Sequence, residues 1–402
     1  MGKMNVAVFF GSRSCEHDVS IISAVQLMEA IDRENYDVHP IYISREGIWY
    51  TGEALQRIET FREFNPMSHG VTRINLDLTA NAGDVWAWPP QKAGLLSKVP
   101  KPLFHIDCAI PVLHGMHGED GTLQGVFEMA NIPYTSAGVL GSAVAMDKIA
   151  MKQLFRGAGL PVLDFIWFTR DDIEKDWEHI CRQVKEKLKY PVIVKPACLG
   201  SSIGVSRVNT QEELRKAVDL AAQYDRRLLI EVGIRQPVEI NCAAVGFGGT
   251  IRTSVCEMPV PSEPDRILDF VEKYLRNVGA KAGESRGMKS LSRVLPAPIG
   301  DDLTDRIQEM TKEVFRLLDG RGTMRIDFML DENDMLYINE PNTIPGSLAF
   351  YLWKAAGLSF PGLVEEMIES AMSAYAEKNR NVYAFDSAIL QKVSAGVKGA
   401  KA

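Results

Sequence analysis

The sequence predicts an α/β protein of two or three domains, and three observations carry that prediction. Strand-like and helix-like segments alternate along the chain. At 402 residues the chain is long enough for several sizeable cores. Its composition, 46% apolar and 24% charged, is that of an ordinary folded protein rather than a disordered one.

Each element has its own justification. "VAVFF" reads as a buried strand, and the helix after it carries Ile21, Val25 and Met28 on one face. Residues 44–102, punctuated by Trp, Pro and Gly, read as an elaboration of the first domain. "IDCAIPVLHG" is a strand leading into a helix with Leu123, Val126, Phe127 and Ala130 at helical spacing. Gly141 and Ser142 open a helix running through Met146, Ile149, Ala150 and Leu154 to Gly157 and Gly159. "YPVIVKPACLGSSIGVSRV" predicts strand, glycine-bearing loop and strand. Thr210 and Glu213 then predict a capping box ahead of Leu214, Val218 and Ala221. "RRLLIEVGI" is a further strand. Residues 261–298 are long, charged and glycine-bearing, which suits a lid better than a core. Leu303, Ile307, Met310, Val314 and Leu317 mark an amphipathic helix ending at Gly320. The tail "VSAGVKGAKA" is small and polar enough to be disordered.

Charge and cysteine usage exclude several classes. A net charge of -7 argues against wholesale nucleic-acid binding, while leaving room for one local cationic pocket. Cys15, Cys108, Cys181, Cys198, Cys242 and Cys256 are scattered, so they read as reduced thiols in a cytoplasmic protein. No apolar run is long enough to cross a membrane. "MNVAVFF" is too short for a signal-peptide core, and Val6 stands where a myristoylation motif needs Ser or Thr.

The densest chemistry lies in "MRIDFMLDENDMLYINEPNTIPG", two apolar strands joined by an Asp-rich turn. With an even-length turn, Arg325 falls opposite Glu340 and Asp327 opposite Ile338, so all the charged groups share one face. An odd turn sends the two acids to opposite faces. Asp327, Glu340 and Asn342 offer only oxygen ligands, which suits Mg²⁺ held together with a nucleotide rather than zinc. The alternative is an exposed hairpin face carrying solvated charges.

A phosphate grip is available upstream. "KPACLGSSIG" sets Lys195 at a strand end and Gly200, Ser201, Ser202 and Gly204 in the loop after it. It is neither a Walker A loop nor a dinucleotide fingerprint, and a solvated Gly-Ser hairpin is the other reading. Lys148, off the apolar stripe of its helix, reads in isolation as solvated. "VLHGMHGEDGTLQG" gathers His114, His117, Glu119 and Asp120 among glycines, without a zinc-protease spacing. Glu16 lies in the first strand-to-helix loop, where a carboxylate suits a ligand ammonium or simply the helix dipole.

Taken in order, "GSRSCEHDVS", "LHGMHGEDGTLQG", "AMDK", "KPACLGSSIGV", "DFVEKYL", "RIDFML" and "NEPNTIPG" resemble the D-alanine–D-alanine ligases of the ATP-grasp superfamily. The likeness runs from about Val6 to about Gly357. It implies an ATP-grasp fold behind an N-terminal doubly wound α/β domain. The implied limits are 1–140 for the domain binding the first substrate, 141–236 for the central subdomain and 237–380 for the C-terminal one. A lid at 262–293 and a flexible tail at 381–402 complete the plan.

The resemblance also implies a reaction: ATP phosphorylates one D-alanine carboxylate, and the amine of a second D-alanine attacks the acyl phosphate. Glu16 is then expected to hold the first ammonium, with Ser201 and Tyr274 hydrogen-bonded to it and His114 nearby. Lys148 and Lys195 would contact ATP phosphates with Ser201 and Ser202, Glu231 and Ile234 the adenine, and Glu239 the ribose. Asp327, Glu340 and Asn342 match ligands for two Mg²⁺ ions, which Mn²⁺ could replace. Arg325 and the Gly346 N–H match the oxyanion site. D-alanine and ATP are the implied partners, with a homodimer as a family habit and neither nucleic acid nor membrane involved.

The chain departs from the family pattern in three places. Where the family usually sets a hydroxyl on the second substrate's carboxylate, "PGSLAFYLW" has Tyr351 followed by Leu352, with Ser347 upstream. Tyr351 or Ser347 is expected to take over that contact, or the second substrate differs. The predicted lid is long and basic, and Cys198 and Leu199 stand where charged residues are common. Lys273 and Tyr274 match a D-alanine-type lid rather than a depsipeptide-forming one. A related ligase with another second amino or hydroxy acid is the alternative. A nucleotide-binding regulator that has lost catalysis fits less well, because Lys195, Arg325, Asp327, Glu340 and Asn342 are all present.

Overall fold

The computed structural model describes residues 2–90, 101–260 and 293–383. The N-terminal part is a seven-stranded sheet of β1 (Met4–Gly11), β2 (Tyr36–Ile43), β3 (Trp49–Thr51), β4 (Thr72–Leu76), β5 (Asp84–Ala87), β6 (Phe104–His105) and β7 (Cys108–Pro111), in the order β6-β5-β4-β3-β2-β1-β7. Only β2, β1 and β7 run parallel; the elaboration predicted at 44–102 supplies an antiparallel meander on one edge. Side chains of β1 alternate between two cores. Val6, Val8 and Phe10 join the one under helix α1 (His17–Ala30), and Ala7 and Phe9 the one under α2 (Thr122–Ala130). Helices therefore cover both faces, as a doubly wound domain requires.

The helix expected from Gly141 to Gly157 is instead two, α3 (Val139–Met146) and α4 (Lys148–Gly157). Asp147 sits between them in extended conformation, and its carboxylate accepts hydrogen bonds from the Ile149 and Ala150 N–H groups. An aspartate is a strong N-cap, and here it ends one helix to start another.

A second, antiparallel sheet contains β8 (Phe165–Thr169), β9 (Val192–Pro196), β10 (Ser206–Val208) and β11 (Arg227–Val232), in the order β10-β9-β11-β8. One face is covered by α5 (Arg170–Lys175), α6 (Trp177–Gln183) and α7 (Gln211–Tyr224). The capping box expected at α7 does not form. The Thr210 side chain makes no cap bond, and Glu213 instead accepts from the Asn209 N–H at 2.8 Å.

The third sheet is β12 (Val238–Phe247), β13 (Thr250–Thr253), β16 (Gly322–Leu330) and β17 (Leu336–Asn342), in the order β13-β12-β16-β17. A two-stranded ribbon, β14 (Met258–Pro259) with β15 (Arg293–Val294), lies beside it. Helix α8 (Asp301–Leu317) buries Ile307, Val314 and Phe315 against one face of this sheet, in the core shared with α4. Helices α9 (Phe350–Ala355) and α10 (Phe360–Lys378) return to the N-terminal sheet, where Trp353, Leu363, Met367 and Ala371 complete the α1 core. The predicted lid, except Arg293, falls outside the described residues, as do Tyr274 and residues 384–402.

The β16–β17 register corrects the expected pairing. Leu330 faces Leu336 and Phe328 faces Ile338, so the turn at 331–335 is odd in length. Beyond Phe328 the register shifts by one residue: Asp327 faces Glu340 and Arg325 faces Asn342. Asn339 is the extra residue of a β-bulge, and it cancels the odd parity of the turn. All four polar groups therefore reach one side after all, by a route the alternation pattern does not contain.

Candidate active site

A cleft opens between the second and third sheets. Leu163, Ile193, Val205, Val232, Ile234 and Met329 give it an apolar lining, and Lys148, Lys195, Arg207, Glu231, Glu239, Asp327 and Glu340 its charges. An apolar slot with a few convergent polar groups suits a nucleotide base and its phosphates. Alternation along β9 explains part of this: Val192 and Val194 enter the helix-covered core, which turns Ile193 and Lys195 into the cleft.

The cations are already paired. Lys148, buried at the first turn of α4, donates to the Leu199 carbonyl at 2.9 Å and lies 3.1 Å from Glu340 Oε2. The solvated reading of this lysine is therefore wrong; the Asp147 cap aims it inward. Burial works against its charge, and Glu340 together with Glu231 outweighs that, holding its ammonium above the usual lysine range.

One turn further along α4, Lys152 is almost fully buried with its Nζ 2.7 Å from Glu231 Oε2. Lys195 pairs with the other oxygen of Glu231 and reaches Asn339 Oδ1 at 3.4 Å. Burial opposes the charge on Glu231, but Lys152 and Lys195 outweigh it and hold the carboxyl at about 2. Lys152 itself is pushed below the usual range by burial, against the pull of Glu231. An adenine amino group would have to share Glu231 with both lysines. Only the four-residue spacing from Lys148 marks Lys152 in the sequence.

Asp327, Glu340 and Asn342 converge at the hairpin. Arg325 forms a two-pronged pair with Asp327, Nε to Oδ1 at 2.6 Å and Nη2 to Oδ2 at 2.7 Å. The Asn342 amide donates to Asp327 Oδ2 at 3.1 Å. An oxygen-only set with two carboxylates, each matched by a basic side chain, fits a hard divalent cation bound together with phosphates. Among the described residues, no group of three or more His, Cys, Asp or Glu side chains forms a metal site by itself.

A second corner forms where the loop after β9 meets the N-terminal sheet. Ser201 donates to Glu16 Oε1. Gly115 and Gly200 flank the same carboxylate closely: a Cβ at Gly115 would lie 2.6 Å from Glu16 Oε2, and one at Gly200 3.0 Å. Glu119, unassigned by motif, accepts from the Gly115 N–H at 2.8 Å and the Ile344 N–H at 3.2 Å. Burial first, then the charge of Glu16, raises its carboxyl well above the usual range. His114 donates from Nδ1 to the Ile344 carbonyl at 2.9 Å, with Ser23 Oγ 3.0 Å from Nε2. Burial drives its pKa down to about 4, so the imidazole is neutral at pH 7.

Past Gly346 the chain takes a left-handed turn. Ser347, Leu348 and Ala349 have φ of 50°, 53° and 52°, costly for residues with a Cβ. The turn points Ser347 at α1: its N–H donates to Ser23 Oγ at 3.0 Å and its hydroxyl to Gln26 Oε1 at 2.8 Å. Leu352 is fully buried in the α1 core. Tyr351 donates its hydroxyl to Glu257 Oε1 at 2.8 Å. None of these three side chains is thus placed as a ready donor to a ligand carboxylate.

Fold and site together define an α/β protein with a charged cleft between two antiparallel sheets and a buried acidic corner beside it. Residues 5–137 match the D-ala D-ala ligase N-terminus model and residues 154–369 the C-terminus model. The chain belongs to the D-alanine–D-alanine ligase family. It is 34% identical to a D-alanine–D-alanine ligase of Thermosipho africanus over 96% of this chain and 97% of that protein. Among solved structures, the D-alanine-D-alanine ligase from Coxiella burnetii matches with a TM-score of 0.75 at 28% identity, covering 94% of this chain and 97% of that one. The VanG D-Ala:D-Ser ligase from Enterococcus faecalis matches with a TM-score of 0.74, also at 28% identity, covering 93% and 100%.

Proposed function

We propose that this protein is an ATP-dependent ligase that joins two D-alanines through an acyl phosphate, supplying a peptidoglycan precursor. The observation that carries the reading is the cleft that sets Lys148, Lys195, Asp327 and Glu340 side by side, next to the Glu16–Ser201 corner.

Each group then has a task. Glu16 takes the ammonium of the first D-alanine, oriented by Ser201. Lys148 and Lys195 take phosphate oxygens of ATP, and Ile234 and Glu239 border the base and ribose. Arg325, with the Gly346 N–H, stabilises the oxyanion formed when the second amine attacks. Asp327, Glu340 and Asn342 would hold two Mg²⁺ or Mn²⁺ ions, which supply charge neutralisation to the transferred phosphoryl group. Neutral His114 shapes the first-substrate corner without adding charge to it.

The domain limits 1–140, 141–236 and 237–380, a cytoplasmic location and a homodimer belong to the same reading. No helix among the described residues is long and apolar enough to cross a membrane. A second reading, a ligase taking another second amino acid, is favoured by Tyr351 and its bond to Glu257. Phosphate release with Mg-ATP and D-alanine alone, with the product weighed by mass spectrometry, separates the two. The D-alanine dipeptide supports the first reading. Turnover only after a different amino acid is added supports the second, and no turnover on any pair counts against both.

A further inference from the structure

Beyond Arg325 the chain builds a buried charge cluster that the reaction outlined above does not use. Glu257 is 2% exposed and accepts three hydrogen bonds, from the Tyr351 hydroxyl at 2.8 Å, Asn241 Nδ2 at 3.0 Å and Arg293 Nη1 at 3.0 Å. The Arg293 guanidinium also lies over the Tyr351 ring, 3.9 Å from its centroid, within cation–π range. Asn241, which donates to Glu257, faces Asp327 directly across the β12–β16 pair, so the cluster lies beside the strand that carries Arg325. Arg325 is two residues from Asp327 on the same face of β16, one step out from the cleft.

This arrangement limits how a second amino acid could be held. The single proton of the Tyr351 hydroxyl is committed to Glu257, so the phenol offers only lone pairs to a ligand. A substrate carboxylate arriving here also meets a buried glutamate, and like charges at close range repel strongly where water is excluded.

We propose that Arg293 determines specificity for the carboxylate of the second substrate: its pairing with Glu257 cancels the repulsion, and its cation, held flat on Tyr351, attracts the carboxylate. Arginine is the residue suited to this double duty, since its planar fork pairs with a carboxylate while its face stacks on a ring. Glu257 and Tyr351 are positioning residues that hold the fork. The inference rests on the ligase reading and assigns to Arg293 the recognition of the second substrate's carboxylate.

The test compares D-alanine with D-alaninamide, which has no carboxylate and can serve only as the attacking amine. Arg293→Met is expected to raise KM for the second D-alanine by roughly tenfold or more, with KM for ATP and the first D-alanine nearly unchanged. D-alaninamide should be little affected, so the preference for D-alanine over the amide collapses. Arg293→Lys keeps the charge and should retain the preference even if binding weakens. Adding Glu257→Gln to Arg293→Met should recover part of the loss by removing the repelling anion. Equal losses for D-alanine and its amide, or no recovery in the double variant, would overturn the inference. Wild-type protein that makes no dipeptide would count against the ligase reading instead.

Discussion

Asp327 and Glu340 face one another directly across the β16–β17 hairpin, and they do so because Asn339 is an extra residue in the second strand. The bulge also turns Asn339 into the cleft beside Glu340, where its side chain meets Lys195. Deleting Asn339 should therefore flip Glu340 and Asn342 to the other face and abolish turnover. Asn339→Ala, which keeps the backbone count, should retain most of it. Phosphate release measures both, with circular dichroism confirming that the fold survives. Comparable activity in the two variants would show that the bulge does not place the acids.

Glu340→Gln should lower turnover by roughly two orders of magnitude or more, and it should also lower the melting temperature because buried Lys148 loses its carboxylate, so turnover is read well below that temperature. The change keeps the shape and removes the charge that Lys148 and a metal would share. Near-normal turnover would sink the metal assignment.

Glu231 sits between the buried ammonium of Lys152 and the partly buried one of Lys195, so removing it does more harm than removing one of them. Glu231→Gln should cost about 3–5 kcal/mol, because Lys152 is left buried without a carboxylate and partly buried Lys195 loses its partner. Lys152→Met should cost less, since Glu231 keeps Lys195. The double variant should be more stable than the sum of the single losses. Urea unfolding of all three tests this, and strict additivity would mean the lysines are not coupled through Glu231.

Asp147 caps α4 and also pairs with Arg227. Asp147→Ala should lose about 1–2 kcal/mol of stability. It should also raise KM for ATP more than KM for D-alanine, because Lys148 follows the cap directly. Equal rises in both would detach the cap from the phosphate grip.

His114 predicts a pH effect with a definite sign. Its folded pKa, about 4, lies below the unfolded value near 6.5, so the unfolded chain binds the extra proton in that window. Its contribution is complete above about pH 6.5 and falls away towards pH 4, by about 3 kcal/mol in all. Glu119, held protonated by burial beside Glu16, titrates in the opposite sense and masks this in the wild-type curve. The stability gap between wild type and His114→Gln is therefore the quantity to follow, with Arg325 the nearby charge that also disfavours the imidazolium. A gap that does not shrink as pH falls would rule the effect out.

Much of this molecule is legible from local pattern. Apolar runs marked β1, β9 and β16, helical spacing marked α1 and α8, and the Gly-Ser loop after Lys195 announced itself, because each depends on residues a few positions apart. The family motifs then supplied roles for residues such as Glu16 and Asp327 that composition left ambiguous. What escaped were choices between locally acceptable alternatives. Asp147 could lie within a helix or end one, and Thr210 could cap or not. An odd turn looked as though it would separate the two acids until a bulge restored their alignment.

The remaining features are contacts between distant parts of the chain. Lys152 meets Glu231, Glu119 meets Ile344, Ser347 meets Ser23, and Tyr351 meets Glu257 across separations that no motif spans. Periodicity tells which face of a strand or helix a side chain occupies. It does not tell what stands opposite, because that depends on how three sheets and their helices pack. Burial then converts those meetings into held protons, paired charges and a committed phenol, since a polar group taken out of water must find its partner within the protein.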